Sequence, residues 1–295
     1  MAKLKKQKKQ VNVGKDITTS FLQYEAVLLP TLICLILPLA LKDGYYKVGE
    51  FKFHVYGWLA GIGLVISLLT LIPYAFFTWK EWNLKEDWKN LSVTDRFVIA
   101  YLIFTLVSYF LNNHYLKENL MGYPGWYMGL YAQVTFVLLY FILSRFAKDY
   151  VIVIATLAGT SFLAYIFGIL HRMLIDPLHT YEGIDPKYYN FLSTLGQSSW
   201  YSSFLCTFLP FMMGLYLIGQ KKWLHILSGI FCMVGFTTLV SQNSDSAYLA
   251  MTGTFMVLGF ISVKDGKRMR RLIELAWGLF AAGKIMRLLL LISPN

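Results

Sequence analysis

Polar residues that could bind a chemical group are concentrated in two short turns, each followed by an apolar stretch. The first turn reads STLGQSS from position 193, and the second reads SQNSDS from position 241. Each stretch that follows has the length of a helix, and a helix N-terminus leaves backbone N–H groups unpaired at the positive end of its dipole. Such an end favours phosphate or pyrophosphate. Ser198, Ser199, Ser244 and Ser246 could donate hydrogen bonds to such a ligand.

Simple helix capping explains the same serines, because serine and aspartate commonly open helices. Capping alone and ligand binding therefore both stay open at this point. Two such turns on one side of a membrane, beside the longest outer loop, support binding more than a single turn would. Asp245 in the second turn would repel a phosphate, so it could instead cap the helix or hold the hydroxyl group of an acceptor.

Two cations lie on the last apolar stretch of the chain. Lys284 and Arg287 are three residues apart, which places them on one face of a helix. Charged residues inside a membrane span are costly and usually mark a functional site. Arg287 lies near the end of its stretch, so reaching out to the membrane surface is an alternative to contacting a lipid pyrophosphate.

Two histidines, His171 and His179, flank Arg172 in the longest outer loop. Each could act as a general base or donate to a phosphate, but a plain loop or interface histidine is the favoured interpretation of each. The chain has no glycine-rich nucleotide motif, no HExxH and no CxxC. Its apolar stretches also carry no paired carboxylates at helical spacing inside the membrane. The sequence therefore predicts no metal site and no cofactor.

The composition identifies the kind of protein that holds these residues. Hydrophobic residues make up 57% of the chain and charged residues 15%, and the mean hydropathy is +0.52. A soluble domain needs roughly 25% charged residues. The formal net charge is +11, but the cations lie in short clusters between apolar runs, which indicates membrane orientation rather than nucleic-acid binding. We therefore expect an all-α polytopic membrane protein in contact with membrane lipids.

The apolar runs predict about nine transmembrane helices. They lie at 25–41, 55–77, 97–112, 126–146, 150–170, 198–219, 223–241, 246–263 and 272–292. A basic cytoplasmic tail (1–20) would precede one membrane domain (21–295) with an outer loop at about 172–197. A cytoplasmic N-terminus places most of the 27 Lys and Arg residues on the inner side. No cleavage site follows the first run, so we interpret it as an uncleaved span.

The order of the two turns resembles the O-antigen ligase and polymerase superfamily of bacterial surface-polysaccharide assembly. The resemblance covers about residues 170–260 and rests on STLGQSSWYSSFL, then a helix and a span, then SQNSDSAYLA. The family reads roughly Thr-x-Gly-Asn-x-Asn-aromatic at the first stretch and Ser-x-Ser-(Arg or Asp)-(Ser or Gly)-Ala-x-Leu at the second. This chain departs from it at Gln197 and Ser199, which replace asparagines, and at Asp245, where arginine is frequent.

The resemblance implies a multi-pass glycosyltransferase of the bacterial cytoplasmic (inner) membrane. Its donor would be an undecaprenyl-pyrophosphate-linked oligosaccharide at the outer face, and no cofactor would be needed. Gly196, Gln197 and Ser199 would line the site, and Ser244, Asp245 and Ser246 would form its neighbouring wall. Arg172 or Arg287 would stabilise the leaving pyrophosphate.

The family's essential histidine lies in a large outer loop beyond the part that matches. We therefore expect an N-terminal part or a shortened member of the family. His171 and His179 would replace that histidine only in a rearranged site.

Two other functions stay open: a membrane transporter and a non-catalytic partner of a polysaccharide assembly machine. A transporter typically shows internal repeats and polar groups at the midplane. This sequence has no repeat, and its polar residues collect at the outer edge. The sequence does not distinguish ligation from polymerisation or identify the glycan and its acceptor.

Overall fold

A computed structural model of the chain describes residues 13–182 and 193–292, without the side chains of Leu84, Lys85 and Asn113. Within these ranges the protein is helical and has no strand. The helices are α1 Val13–Ile36, α2 Val48–Thr78, α3 Leu84–Lys89, α4 Val93–Leu111, α5 Leu116–Met121, α6 Leu130–Phe146, α7 Val151–Arg172, α8 Ser198–Ile218, α9 Lys222–Gln242, α10 Asp245–Ser262 and α11 Gly266–Ile292. Each of the nine predicted spans overlaps one of these helices.

Seven of the described helices are long and apolar enough to cross a membrane, so the chain is an all-helical membrane protein. They are Val13–Ile36, Val48–Glu81, Val93–Leu111, Val151–Arg172, Ser198–Ile218, Lys222–Gln242 and Gly266–Ile292. The second of these is α2 together with the 3₁₀ turn Trp79–Glu81 that follows it. The predicted count of nine is thus not confirmed. Leu130–Phe146 is shorter, because Gly122 and Gly125 adopt positive φ angles and the chain turns before the helix begins. Asp245–Ser262 begins with polar residues that lower its hydropathy.

The described residues form two compact units. The first contains the described residues 13–34 and 53–155, and the second contains 35–52, 156–182 and 193–292. In the first unit, a small apolar cluster includes Ala26, Leu64 and Ile142. A buried carboxylate also ties two helices together. Asp95 completes a capping box at the start of α4 and accepts hydrogen bonds from Tyr140 and Arg145 of α6, each at 2.9 Å.

The second unit holds the larger core, built mainly from α8, α9, α10 and α11. Its centre includes the fully buried rings of Tyr165 and Tyr201. Close approach at this centre depends on Gly235, where an added Cβ would lie 2.9 Å from the Tyr165 ring. Thr238 of α9 donates to the Tyr165 carbonyl at 2.9 Å. These contacts fix where α8 and α9 place the polar turns at their ends.

A connecting segment of the second unit anchors the start of the first polar turn. Lys52 is half-buried and donates to the carbonyl oxygens of Leu37 at 2.7 Å and Pro38 at 3.1 Å. Thr194 donates to the same Pro38 carbonyl at 2.7 Å. The turn before α8 is therefore held in place by buried polar contacts.

Candidate functional site

The structure brings the two polar turns side by side at one end of the second unit. Helix α9 ends at Gln242, whose Nε2 donates to Ser202 Oγ of α8 at 2.9 Å and to the Ser198 carbonyl. Nearby, Cys206 Sγ lies 4.0 Å from the Ala247 carbonyl of α10. The N-termini of α8 and α10 are therefore neighbours, and Gln242 is the residue that joins them.

Neither of these helix N-termini is capped by a side chain. Gln197 is the N-cap residue of α8 and Ser244 that of α10, and neither side chain bonds to its helix backbone. Instead, the hydroxyls of Ser244 and Ser246 bond to each other at 2.9 Å. Plain capping therefore does not account for these serines. Within the described residues, no cap side chain therefore bonds to the first N–H groups of either helix, which lie at the positive end of each dipole.

The other candidates in the turns differ in exposure. Gly196 is buried and has a φ angle of +87°, a conformation that glycine adopts without steric cost. It is the residue that redirects the chain into α8. Gln197, Ser199 and Asp245 are exposed, so their side chains are accessible to a ligand. Asp245 begins α10, where its negative charge is compatible with the helix dipole.

His171 lies at the centre of a buried network rather than in an open site. Its Nδ1 accepts the Ser193 N–H at 3.0 Å and lies 3.0 Å from the Tyr45 hydroxyl. Because Nδ1 accepts an N–H group, the proton of the neutral ring sits on Nε2. This Nε2 lies 3.3 Å from Asp176 Oδ1. That approach is an ion-pair contact without hydrogen-bond geometry, so Nδ1 alone is hydrogen-bonded within the described residues. Because the residue is 2% exposed, His171 has no open path to a glycan.

Asp176 anchors the same network from the loop that follows α7. Its carboxylate accepts from Thr180 Oγ1 at 2.9 Å and from the Tyr181 N–H at 2.8 Å. Burial acts to raise the pKa of Asp176. The hydrogen bonds from Tyr181 and Thr180, together with the nearby His171, outweigh this effect and bring that pKa below its usual value. The carboxylate is therefore ionised at neutral pH.

The two remaining loop candidates do not meet Arg287 through any contact among the described residues. His179 is exposed and pairs with Glu182 at 2.9 Å, a surface contact between two exposed side chains. Arg172 is half-buried at the end of α7, and its Nε is buried without a hydrogen-bond partner in the described ranges. Residues 183–192 of the predicted outer loop lie outside the described residues.

Arg287 and Lys284 lie on an apolar groove formed by α9, α10 and α11. The groove has a volume of about 450 Å³. Its lining consists of Phe236, Val240, Tyr248, Phe255, Ala276, Leu279, Phe280, Gly283, Lys284 and Arg287. Both cations are exposed, and Lys284 Nζ lies 5.5 Å from the centre of the Phe280 ring. Both side chains line this groove, which confirms the prediction that they share a helix face.

Tyr248 connects the groove to the second polar turn. It lies in the first turn of α10, where its N–H bonds to the Ser244 carbonyl at 3.1 Å. Its side-chain hydroxyl is buried and has no hydrogen-bond partner among the described residues. A buried polar group without a partner usually indicates a missing ligand or water. Sequence reasoning did not identify Tyr248, because nothing in its local pattern distinguishes it from the other tyrosines of the chain.

The arrangement suits a ligand with an apolar chain and an anionic head. The groove walls provide contacts for hydrocarbon, and the two cations provide charge-assisted hydrogen bonds to phosphate oxygens. The uncapped start of α10 lies at the Tyr248 end of the same groove.

Comparison with models of known protein families, with curated proteins and with solved structures gave no match.

Proposed function

We propose that this protein binds a polyprenyl-pyrophosphate-linked glycan in the groove of α9, α10 and α11 and serves its transfer to an acceptor. The observation that carries the proposal is the placement of Lys284 and Arg287 on an apolar groove beside the uncapped start of α10. The proposal adopts the nine-span topology with a cytoplasmic N-terminus. The groove's cations then lie toward the outer face of a bacterial cytoplasmic membrane.

The groove supports a lipid donor better than a soluble one. Cations inside an apolar span are costly unless they are paired or reach water, and both side chains here are exposed along the groove. Phosphate oxygens would satisfy them, and the Tyr248 hydroxyl could donate to the same anion. An isoprenoid chain would extend along the apolar walls toward Phe255 and Ala276.

In the transfer step, the bond between the anomeric carbon and the pyrophosphate oxygen breaks, and the acceptor oxygen bonds to that carbon. The departing pyrophosphate gains negative charge, which Lys284 and Arg287 would stabilise. The acceptor also loses a proton. That proton is released to water, because neither His171 nor His179 is among the residues that line the groove. The proposal therefore gives this chain the donor-binding part of an O-antigen ligase or polymerase type of site.

The enclosure of His171 favours one second candidate, a non-catalytic lipid-handling partner in polysaccharide assembly. Such a protein would bind the same donor in the same groove without transferring its glycan. Binding and transfer measured on one preparation separate the two functions.

The experiment uses the full chain in phospholipid nanodiscs. Binding of undecaprenyl pyrophosphate is compared with that of undecaprenol, which lacks the anionic head. We expect the pyrophosphate to bind more tightly. We also expect Lys284→Gln and Arg287→Gln each to weaken its binding about tenfold, the loss of one charge-assisted hydrogen bond. Lys267→Gln, at the exposed start of the same helix, is the matched control.

Glycan transfer is then measured from an undecaprenyl-pyrophosphate oligosaccharide in the same nanodiscs. Transfer that falls with the Arg287→Gln variant supports the transferase. Binding without transfer supports the non-catalytic partner. Equal affinity for undecaprenyl pyrophosphate and undecaprenol would refute both the transferase and the non-catalytic partner.

A further inference from the structure

A second pocket lies in the first unit, between α4, α5 and α6, and its chemistry differs from that of the lipid groove. Its volume is about 410 Å³, within the range of small-molecule sites. The polar groups that line it include Tyr101, Ser108, Tyr109, Asn112, Asn119 and Gln133. Its lining contains no Asp, Glu, Lys, Arg or His.

Helix periodicity and a tight turn build this pocket. Tyr101, Thr105 and Ser108 follow one another at spacings of four and three residues, so they share one face of α4, and Asn112 is the residue that ends this helix. Gly129 brings α5 against the start of α6, since a Cβ there would lie 2.5 Å from the Leu120 carbonyl. The local geometry of these helices therefore forms the pocket.

Internal hydrogen bonds orient the amide groups. Gln133 Nε2 donates to the Met128 carbonyl at 3.2 Å, and its Oε1 accepts from the Tyr101 hydroxyl. Asn112 Nδ2 donates to the Ser108 carbonyl at 3.0 Å, and Asn119 Nδ2 donates to the Asn112 carbonyl. These bonds engage an amide donor of each residue, so the second amide proton and the remaining oxygen lone pairs are available to a ligand.

We propose that this pocket binds a neutral saccharide. Sugar hydroxyls both donate and accept hydrogen bonds, and amides and hydroxyls are the side chains that do both. The ring faces of Tyr101, Phe104 and Tyr109 provide apolar surface for the C–H face of a sugar. A phosphate or carboxylate ligand would find no cation among the described residues that line the pocket.

The other occupants fit this lining less well. A lipid chain would leave several amide and hydroxyl groups unpaired in hydrocarbon, which costs free energy for each group. A helix of a second copy could form polar contacts with Ser108 or Asn112. A concave pocket with convergent amides is shaped for a small ligand instead. That the saccharide is the glycan of a transfer reaction rests on the proposed function.

The test is ligand-observed saturation-transfer NMR on the full chain in sugar-free phospholipid nanodiscs. The probes are four uncharged disaccharides: N,N′-diacetylchitobiose, lactose, maltose and sucrose. Sialyllactose, which is negatively charged, serves as the comparator. We expect at least one neutral disaccharide to bind and to show stronger transfer than sialyllactose.

Three variants locate the binding. Asn112→Leu is expected to raise the dissociation constant of the sugar about tenfold, because the variant loses the amide's hydrogen bonds to the ligand. Ser108→Ala removes one exposed hydroxyl that makes no hydrogen bond within the described residues, so the variant should fold normally. It should raise the dissociation constant of the sugar about threefold. Asn90→Leu, an exposed position of the same unit outside the pocket, is the control and should change nothing.

Absence of binding by all four neutral probes would overturn the inference, and so would equal binding by wild type and the Ser108→Ala variant. A dimer in light scattering that dissociates in the Asn112→Leu variant, without sugar binding, would identify the pocket as a contact between copies. Undecaprenyl pyrophosphate binding in the same nanodiscs reports on the proposed function separately. Sugar binding without lipid binding would refute that function alone, and lipid binding without sugar binding would refute this inference alone.

Discussion

Replacing Tyr45 with phenylalanine removes a single hydroxyl from the buried network around His171. That hydroxyl donates to the Ser193 carbonyl at 2.6 Å, and the Tyr45 side chain is largely buried. Burial, followed by the neighbouring Tyr181, raises the pKa of Tyr45 well above its ordinary value. The hydroxyl therefore stays protonated and remains a donor at every pH at which the protein is studied.

The size of the effect follows from what each partner keeps. His171 Nδ1 retains the Ser193 N–H, but the Ser193 carbonyl loses its donor inside the protein. Leaving one buried acceptor unsatisfied costs about 1.5 kcal/mol. One kcal/mol lowers the unfolding midpoint of a chain of this size by roughly 2–4 °C. We therefore expect the Tyr45→Phe variant to unfold about 3–6 °C below wild type.

Thermal unfolding followed by intrinsic fluorescence in one detergent measures this difference. Tyr46→Phe is the matched control, because Tyr46 is the next residue and is 71% exposed. A midpoint for Tyr45→Phe no lower than that for Tyr46→Phe would refute the account of the network. Undecaprenyl pyrophosphate binding should be the same in both variants, since neither residue lines the groove.

Three further changes test other parts of the structure. The folded-state pKa of Asp176 is lowered, so its stabilising effect is present above the unfolded-state pKa of about 3.9 and is lost as the pH falls through the folded value. The Asp176→Asn variant should therefore be less stable than wild type at pH 7. When unfolding midpoints are measured over a series of pH values, the difference between the two proteins should disappear below about pH 4. Gly196→Ala places a side chain at positive φ and should cost about 1–2 kcal/mol in denaturant unfolding, whereas Gly253→Ala, at an open helical position, should not destabilise. Asp95→Asn should lower the unfolding midpoint more than Asp87→Asn, because only the former breaks a contact between α4 and α6; equal midpoints would contradict this.

The helices were predictable because a long apolar run carries its own signal. Hydropathy does not predict the part of a helix that is polar. Helix α1 includes the stretch from Lys15 to Glu25, which is rich in polar side chains and leads into the predicted span. The end of α6 was predicted, but its start was not, because Gly122 and Gly125 turn the chain through positive φ angles. Local hydropathy does not record such backbone conformations.

In the candidate site too, contacts between residues close in sequence were predictable, and contacts between distant residues were not. The shared face of Lys284 and Arg287 follows from a spacing of three residues, so the sequence predicted it. The partners of His171 did not follow, because Tyr45 lies 126 residues away in the chain. The missing caps of α8 and α10 depend on side-chain rotamers that residue type alone does not determine.

The most direct test of the central claim is photo-crosslinking from inside the groove. A benzoylphenylalanine at Phe255, which lines the groove, is compared with one at Phe260, which lies on the same helix, is 85% exposed and does not line the groove. Radiolabelled undecaprenyl pyrophosphate is present in the nanodiscs, and unlabelled undecaprenol competes. The account predicts labelling from position 255 that exceeds labelling from position 260, persists against undecaprenol and falls in the Arg287→Gln background. Equal labelling from both positions, or labelling indifferent to Arg287→Gln, would contradict it.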